Sequence, residues 1–249
     1  MMNLDDLHVF ETPEEAVRAV AESVRELSSQ SSRARGRFTI ALAGGSTPKP
    51  LYQLLATPPF ASSIDWKLCH IFWGDERCVP ADHPDSNYRM AMEALMSHVP
   101  IPASQIHRIN GEDDPKEAAA SYEKELRDTF APSEPQLDLV LLGMGDDGHT
   151  ASLFAGTEAL KERERLIVAN WVPHLAAHRI TATFPLINAA RNVLILATDA
   201  GKSSAIKCVF HSDRETERGD EAPPIAQVHP MGNDAQWYLT RSAASAQKN

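Results

Sequence analysis

The turn at residues 146–149 places two aspartates and a histidine within four positions, in a stretch that is rich in glycine. An imidazole is the side chain most easily used as a base near neutral pH. Asp147 is close enough in sequence to orient the ring of His149 and to stabilise its charged form. We therefore interpret His149 as a candidate general base and Asp147 as its partner. Glycine and aspartate are also the commonest turn formers, so the turn alone leaves a purely structural role open.

The elements around this turn alternate between strands and helices. Short apolar runs bounded by turn residues predict buried strands, and apolar residues spaced three or four apart predict helices. Strands are predicted at residues 38–43, 68–73, 137–142, 166–169, 179–184 and 192–198, and helices after Thr12 and at about 86–96, 114–130 and 201–210. This alternation predicts an α/β fold with a mostly parallel, open, Rossmann-like sheet flanked by helices. We expect one domain over residues 1–249.

Four clusters of glycine, polar and charged residues directly follow predicted strands. They lie at residues 44–47, 75–77, 146–149 and 201–202. In open parallel sheets, ligands bind beyond the carboxyl ends of the strands. If the four strands are parallel, the clusters meet at one edge of the sheet, and this convergence is the main argument for a functional site there.

The first cluster could bind an anion. It consists of Gly44, Gly45, Ser46 and Thr47 and precedes a predicted helix, so its backbone N–H groups and hydroxyls could hold a negative charge. The alternative is plain helix capping, with Thr47 as the cap and Pro48 at the first helical position. Neither use is favoured by the residues alone.

Three cations fall near the predicted edge, at Arg77, Arg179 and Lys202. They could balance a phosphate, although Arg77 could instead pair with a neighbouring acid. The net charge of −10 repels anions, so capture of a phosphorylated small molecule would depend on such local donors.

Composition excludes several function classes. The acidic balance argues against a nucleic-acid surface, and no apolar run approaches the length of a membrane span. The start of the chain lacks a signal-peptide pattern, and three scattered cysteines fit free thiols in a reducing compartment, so we expect a cytoplasmic protein. We expect no metal, because the helical spacing of His174 and His178 is preceded by Pro173 and followed by a predicted strand.

The chain resembles the 6-phosphogluconolactonases, of the glucosamine-6-phosphate isomerase/6-phosphogluconolactonase family, nearly from end to end. The similarity lies in ALAGGSTPKPLY at 41–52, WGDERCVPADHPDSNYRMAMEAL at 73–95, LGMGDDGHTASLFAGT at 142–157, HRITATFPLINAARNVLILATDAGKSSAIK at 178–207 and PIAQVHPMGNDAQWYLT at 224–240. It implies a sheet like that of the glucosamine-6-phosphate deaminases and ribose-5-phosphate isomerases. It also implies hydrolysis of 6-phospho-D-glucono-1,5-lactone to 6-phospho-D-gluconate in the oxidative pentose phosphate pathway, without a cofactor.

The resemblance also implies roles for individual residues. His149 matches the general base and Asp147 its orienting partner. Arg77, Arg179 and Lys202 match the residues that hold the substrate's phosphate, with the turn at residues 44–47 nearby. Asp75, in the second motif, is assigned to substrate binding. We expect a monomer or a weak homodimer.

The chain departs from the family pattern at four positions. Asp146 and Ala155 stand where proline is common, Asp199 where glycine is common, and Thr240 where aspartate is frequent. The two added aspartates place negative charge near an anionic ligand.

Two other functions stay open. An isomerase or deaminase of amino sugar phosphates shares the turn, but the continuation HTASLF at residues 149–154 favours the lactonase. A non-catalytic sugar-phosphate sensor would need the cations without the Asp–His pair. The polar segment at residues 212–221 is predicted to be a flexible excursion.

Overall fold

A six-stranded parallel sheet forms the centre of the molecule, with strand order β1-β9-β8-β5-β2-β3. The computed structural model describes residues 6–211, 222–232 and 234–245. The strands are β1 (Leu7–Phe10), β2 (Phe38–Leu42), β3 (Cys69–Trp73), β4 (Asp75–Arg77), β5 (Leu139–Leu142), β6 (Ile167–Val172), β7 (Ala177–Ala182), β8 (Val193–Ala197) and β9 (Gln236–Thr240). The predicted open, mostly parallel sheet is confirmed.

The α-helices are α1 (Pro13–Arg35), α2 (Lys49–Leu55), α3 (Phe60–Ser63), α4 (Asn87–Ala94), α5 (Pro115–Phe130), α6 (Phe184–Ala189), α7 (Ser203–His211) and α8 (Arg241–Ala244). The start of α1 follows the sequence signal closely. Thr12 accepts a hydrogen bond from the amide of Glu15, and the Glu15 carboxylate accepts one from the amide of Thr12. This capping box satisfies amides that have no partner inside the helix. The described helices include none long and apolar enough to cross a membrane.

The central strands are apolar because both faces of the sheet are covered. Every residue of β2, β5 and β8 is buried. Two buried polar residues, Thr39 of β2 and Asp138, interrupt this apolar pattern, and they bond to each other. Asp138 accepts hydrogen bonds from the Thr39 amide (2.9 Å) and from Arg35 Nε (2.8 Å). The strand predicted from residue 137 therefore begins at Leu139, after a carboxylate that ties α1 to β2.

Three antiparallel strands, in the order β4-β7-β6, form a second sheet that is separate from the parallel one. Residues 75–77 were predicted as a loop cluster after a strand, and they do follow β3, but they form β4. Their backbone pairs with β7, with Arg77 opposite Arg179. The strand predicted over 179–184 ends at Ala182, because Phe184 begins α6.

The parallel strands bring the four predicted clusters to one edge. β8, β5, β2 and β3 are consecutive neighbours in the sheet, and each adjacent pair is parallel. Their carboxyl ends therefore lie side by side, and the segments that follow them line a common cavity. The excursion predicted at residues 212–221 lies outside the described residues.

Candidate active site

A cavity of about 230 Å³ lies at the carboxyl ends of the parallel strands. Residues from all four clusters line it, namely Gly44, Gly45, Ser46, Thr47, Asp75, Arg77, His149 and Lys202. The lining thus holds one guanidinium, one ammonium, one imidazole and one carboxylate. The first three are the kinds of group expected to bind a small anionic ligand. Asp147 and Arg179 are absent from the described lining of this cavity.

His149 and Asp147 form a hydrogen-bonded pair. Nδ1 of His149 lies 2.6 Å from Oδ1 of Asp147, and the His149 amide donates to the same oxygen at 3.1 Å. Partial burial opposes ionisation of Asp147, but the hydrogen bonds from His149 outweigh it and hold the pKa of this carboxyl below its usual range. With Nδ1 donating to a carboxylate, Nε2 carries the lone pair of a neutral imidazole and can accept a proton.

Phe154 fixes the plane of the imidazole. Its ring stacks on His149 with 4.0 Å between centroids and 28° between the planes. Phe154 is itself buried and packs edge-on against His174, with centroids 5.1 Å apart. The carboxylate thus holds one edge of the imidazole, and an aromatic ring covers its face.

Backbone geometry at two glycines makes this pairing possible. A Cβ at Gly145 would lie 2.2 Å from the His149 ring and 2.7 Å from Oδ1 of Asp147, so a side chain there would occupy the place of the pair. Gly148 adopts φ +76° and packs closely against Pro223. Ala151 has φ 47°, a left-handed conformation unusual for a residue with a side chain. Such strain is often found where the surrounding structure holds a loop for function.

Asp75 is a buried carboxylate at the cavity wall. Its Oδ2 accepts a hydrogen bond from Ser152 Oγ at 2.6 Å, and its Oδ1 accepts one from Asn87 Nδ2 at 3.2 Å. Ser152 belongs to the same loop as His149, and its backbone is held by Thr181 and Asn170 of the antiparallel sheet. The small sheet therefore connects the loop of His149 to the Asp75 carboxylate of β4.

Glu76 organises the segment around Arg77. Its buried carboxylate accepts hydrogen bonds from the amides of Arg77, Asn87 and Tyr88, each at 2.8 Å, and from Ser86 Oγ at 3.1 Å. Burial raises the pKa of Glu76, although these amide hydrogen bonds oppose the rise. The carboxylate takes up the free amides at the start of α4 and so holds β4 against that helix.

Arg77 and Arg179 are neighbours across the small sheet, but only Arg77 lines the cavity. The Arg77 guanidinium donates to the carbonyl of Asp85. Arg179 donates to the carbonyl of His178 at 3.1 Å. The structure therefore brings Arg77 to the site with Lys202, whereas Arg179 lies opposite Arg77 in β7 and outside the described lining.

Lys202 is buried at the cavity wall, and two carboxylates face its ammonium. Nζ lies 3.1 Å from Oδ2 of Asp199 and 3.7 Å from Oδ1 of Asp146. Lys202 closes a short 3-10 turn, Ala200–Lys202, directly before α7. These are the two aspartates noted above as departures from the family pattern.

The glycine turn at residues 44–47 is packed between neighbouring elements. Tyr52 donates through its hydroxyl to the carbonyl of Ala43 at 2.7 Å, and the Asn87 amide group fills the space where a Cβ of Gly44 would lie. The capping alternative is wrong in detail: α2 begins at Lys49, its cap is Pro48, and no side chain caps it. Thr47 stays within the turn that precedes α2 and lines the cavity.

Three residues of this site carried no sequence signal of their own. Asn87 was visible only as part of a helix start, and Ser152 and Phe154 only as part of the continuation after the histidine. Their contacts join segments far apart in the chain, so spacing within one motif could not have identified them. The described residues also contain no group of three or more His, Cys, Asp or Glu side chains placed to hold a metal ion.

Comparison with known proteins points to one family. The model of the family described as "Glucosamine-6-phosphate isomerases/6-phosphogluconolactonase" matches residues 11–237. A 6-phosphogluconolactonase of Nostoc sp. (strain PCC 7120 / SAG 25.82 / UTEX 2576) is 47% identical over 215 residues, which are 85% of this chain and 85% of that protein.

Solved structures agree with the sequence comparison. The 6-phosphogluconolactonase from Trypanosoma cruzi superposes with a TM-score of 0.86 at 29% identity, over 98% of this chain and 97% of that one. A monomeric glucosamine-6-phosphate deaminase superposes with a TM-score of 0.80 at 20% identity, over 96% of this chain and 99% of that one, and so shares the fold. The chain belongs to the glucosamine-6-phosphate isomerase/6-phosphogluconolactonase family.

Proposed function

We propose that this protein hydrolyses 6-phospho-D-glucono-1,5-lactone to 6-phospho-D-gluconate, the reaction of the oxidative pentose phosphate pathway for which its relatives are named. The observation that carries the proposal is the His149–Asp147 pair, set 2.6 Å apart at a cavity that also holds Lys202 and Arg77. A base and phosphate-binding cations in one cleft are what this substrate requires.

His149 is the general base in the proposed mechanism. Nε2 takes a proton from a water molecule as the water oxygen bonds to the lactone carbonyl carbon. The bond between that carbon and the ring oxygen then breaks, and the imidazolium returns its proton to the departing oxygen. The product is an open-chain carboxylic acid, which loses its proton to solvent at neutral pH. Asp147 stabilises the imidazolium between the two steps.

Lys202 and Arg77, which line the same cavity as His149, bind the phosphate, with the hydroxyls and amides at residues 44–47 as neutral donors. Arg179 supports this group from β7, opposite Arg77. Asp75 lines the cavity as a substrate-binding carboxylate whose orientation is set by Ser152 and Asn87. None of these steps draws on a metal or a cofactor.

The wider assignment follows from composition and similarity. We propose a single domain acting in the cytoplasm, as a monomer or weak homodimer, with a phosphorylated sugar lactone as its ligand and no nucleic-acid partner. The net charge of −10 supports the last point, because nucleic-acid surfaces carry a basic footprint.

The test is an assay of the purified protein on the phosphorylated lactone, in parallel with glucosamine 6-phosphate and after treatment with a strong chelator. We expect lactone hydrolysis well above the spontaneous rate, unchanged by chelation, and no deamination. Turnover of the amino sugar phosphate alone would make the protein a deaminase, and binding without turnover of either compound would make it a sensor. Full loss on chelation with recovery on adding a divalent metal would refute the metal-independent mechanism.

A further inference from the structure

We infer that Asp146 and Asp199 weaken the hold of Lys202 on the substrate's phosphate, and so set the enzyme's affinity for phosphorylated substrate and product. The inference rests on the proposed function, in which Lys202 binds that phosphate. It concerns two carboxylates that lie outside the described cavity lining but contact a residue within it.

The geometry places both carboxylates on one ammonium. The 3-10 turn before α7 brings Asp199 to within 3.1 Å of Nζ of Lys202, and the loop after β5 brings Asp146 to within 3.7 Å. Because β5 and β8 are adjacent parallel strands, the two loops start side by side. The Asp146 carboxylate also lies directly over Gly201, where a Cβ would approach it at 3.0–3.2 Å.

The summed charge of Lys202, Asp146 and Asp199 opposes the binding of a phosphate. One ammonium with two carboxylates has a net charge of −1, and a phosphate monoester at pH 7 adds about −1.5 to −2. The Lys202 side chain is only 10% exposed, so little of its charge is screened by water. An arriving phosphate must share the ammonium with the carboxylates or push them aside.

Exposure limits the size of this effect. The side chains of Asp146 and Asp199 are 73% and 65% exposed, so water screens their charge and they can rotate outward. We therefore expect a tuning of affinity rather than a block. The product carries the same phosphate and a new carboxylate, so the same repulsion hastens its release.

Asp199 also lies between two cavities. It lines a neighbouring cavity of about 370 Å³ that shares Ser46 and Thr47 with the active site and includes Glu14. Glu14 is an exposed acid close to the same region, and its described contacts do not include Lys202. The Glu14→Gln variant changes net charge by the same amount as a single aspartate variant and so controls for the general field.

The experiment compares wild type with Asp146→Asn, Asp199→Asn, the double variant and Glu14→Gln. KM and kcat are measured on the phosphorylated lactone and on unphosphorylated glucono-1,5-lactone, together with inhibition by 6-phosphogluconate. We expect KM for the phosphorylated lactone and the inhibition constant of the product to fall by about three- to ten-fold in each single aspartate variant. We expect kcat and the values for the unphosphorylated lactone to stay near wild type, and Glu14→Gln to change little.

Three results would overturn the inference. A rise in KM in the aspartate variants would mean that the carboxylates hold Lys202 in position for the phosphate. An unchanged KM would mean that they do not act on binding at all. An equal fall in Glu14→Gln would assign the effect to net charge rather than to the two contacts. A parallel Lys202→Met variant separates this inference from the proposed function: if it leaves discrimination between the two lactones intact, the phosphate assignment itself is wrong.

Discussion

Nδ1 of His149 lies 2.6 Å from Oδ1 of Asp147, two residues earlier in the same turn. The carboxylate fixes the tautomer in which Nε2 is unprotonated, and the stacked ring of Phe154, 4.0 Å away, fixes the plane. The pKa of Asp147 is held low by these same hydrogen bonds, so it remains ionised when His149 takes up a proton. This is the geometry that the proposed base and its orienting partner require.

Replacing His149 with asparagine removes the proposed base while keeping a polar side chain. General-base assistance is typically worth about a hundred- to ten-thousand-fold, so we expect kcat to fall on that scale with the fold intact. Rates are measured with the spontaneous opening of the lactone subtracted, and circular dichroism checks folding. A folded variant with near-normal kcat would remove His149 from the mechanism.

The Asp147→Asn variant tests the partner through the rate. Asp147 orients the imidazole and stabilises the imidazolium in the proposed mechanism, so its neutralisation weakens the base without removing it. We expect kcat to fall by about ten- to a hundred-fold, less than for His149→Asn. An unchanged kcat in the folded variant would mean that Asp147 does not support the base.

Neutral replacement of Lys202 or Arg77 should damage phosphate recognition selectively. Hydrogen bonds to an ionised group are worth about 1.5–3 kcal/mol each, so Lys202→Met or Arg77→Gln should lower kcat/KM on the phosphorylated lactone about ten- to a hundred-fold. The loss on the unphosphorylated lactone should be far smaller. Arg179→Gln is the informative comparison, because this side chain lies outside the described cavity lining. We expect kcat/KM on the phosphorylated lactone to fall less in this variant than in Lys202→Met or Arg77→Gln. Equal losses of kcat/KM on both lactones would mean that these cations stabilise the fold rather than bind the phosphate.

Much of this arrangement could be predicted from the chain's own pattern. Four short apolar runs, each followed by glycine, polar or charged residues, predicted a mostly parallel sheet, with the clusters meeting at one edge if their strands are parallel. The order β8-β5-β2-β3, in parallel pairs, confirms this convergence. The sequence did not predict that residues 75–77 form a strand of a second, antiparallel sheet. A three-residue strand of acidic and basic side chains has no apolar alternation, and its pairing with β7 depends on a partner about a hundred positions away.

Long-range polar contacts escaped prediction for the same reason. Asp138 lies inside a run of leucines, and its role became visible only with its partners Arg35 and Thr39 in place. Ser152 reaches Asp75 across 77 positions. Side-chain hydrogen bonds of this kind follow from the tertiary fold, whereas capping and strand patterns are local properties of the sequence.

The Ser152–Asp75 contact predicts a combined effect on stability and activity. Ser152→Ala removes a 2.6 Å hydrogen bond from a buried carboxylate and leaves Oδ2 short of a donor. We expect the free energy of unfolding to fall by about 1.5–3 kcal/mol and kcat/KM to fall through the disturbed Asp75. Ser28→Ala is the matched control, since this buried serine donates only to a backbone carbonyl, that of Arg25. If urea unfolding shows an equal loss in the free energy of unfolding for both variants, the Ser152–Asp75 hydrogen bond contributes no more than an ordinary buried serine.

A chain of three hydrogen-bonded side chains away from the cavity should make stability depend on pH. His70 Nδ1 lies 3.1 Å from His107 Nε2, and His107 Nδ1 lies 2.7 Å from Glu125 Oε1. Burial, with the nearby positive charge of His107 and Arg37, lowers the pKa of His70 to about 4. In the unfolded chain the pKa is about 6.5. Between these values the unfolded state binds a proton that the folded state does not, so the contribution of neutral His70 is complete above pH 6.5 and is lost as the pH falls toward 4.

The His70→Gln variant should therefore lose less stability on acidification than the wild type. We expect the fall in the free energy of unfolding from pH 7 to pH 4.5 to be about 1–3 kcal/mol smaller in the variant than in the wild type, because a glutamine takes up no proton in either state. Urea unfolding at several pH values across this range measures the free energy of unfolding of both proteins. His98→Gln is the control, since His98 is exposed and bonds to the carbonyl of Glu93. If the wild type and both variants lose stability in parallel, the acid sensitivity arises from the carboxylates and the His70–His107 contact does not contribute.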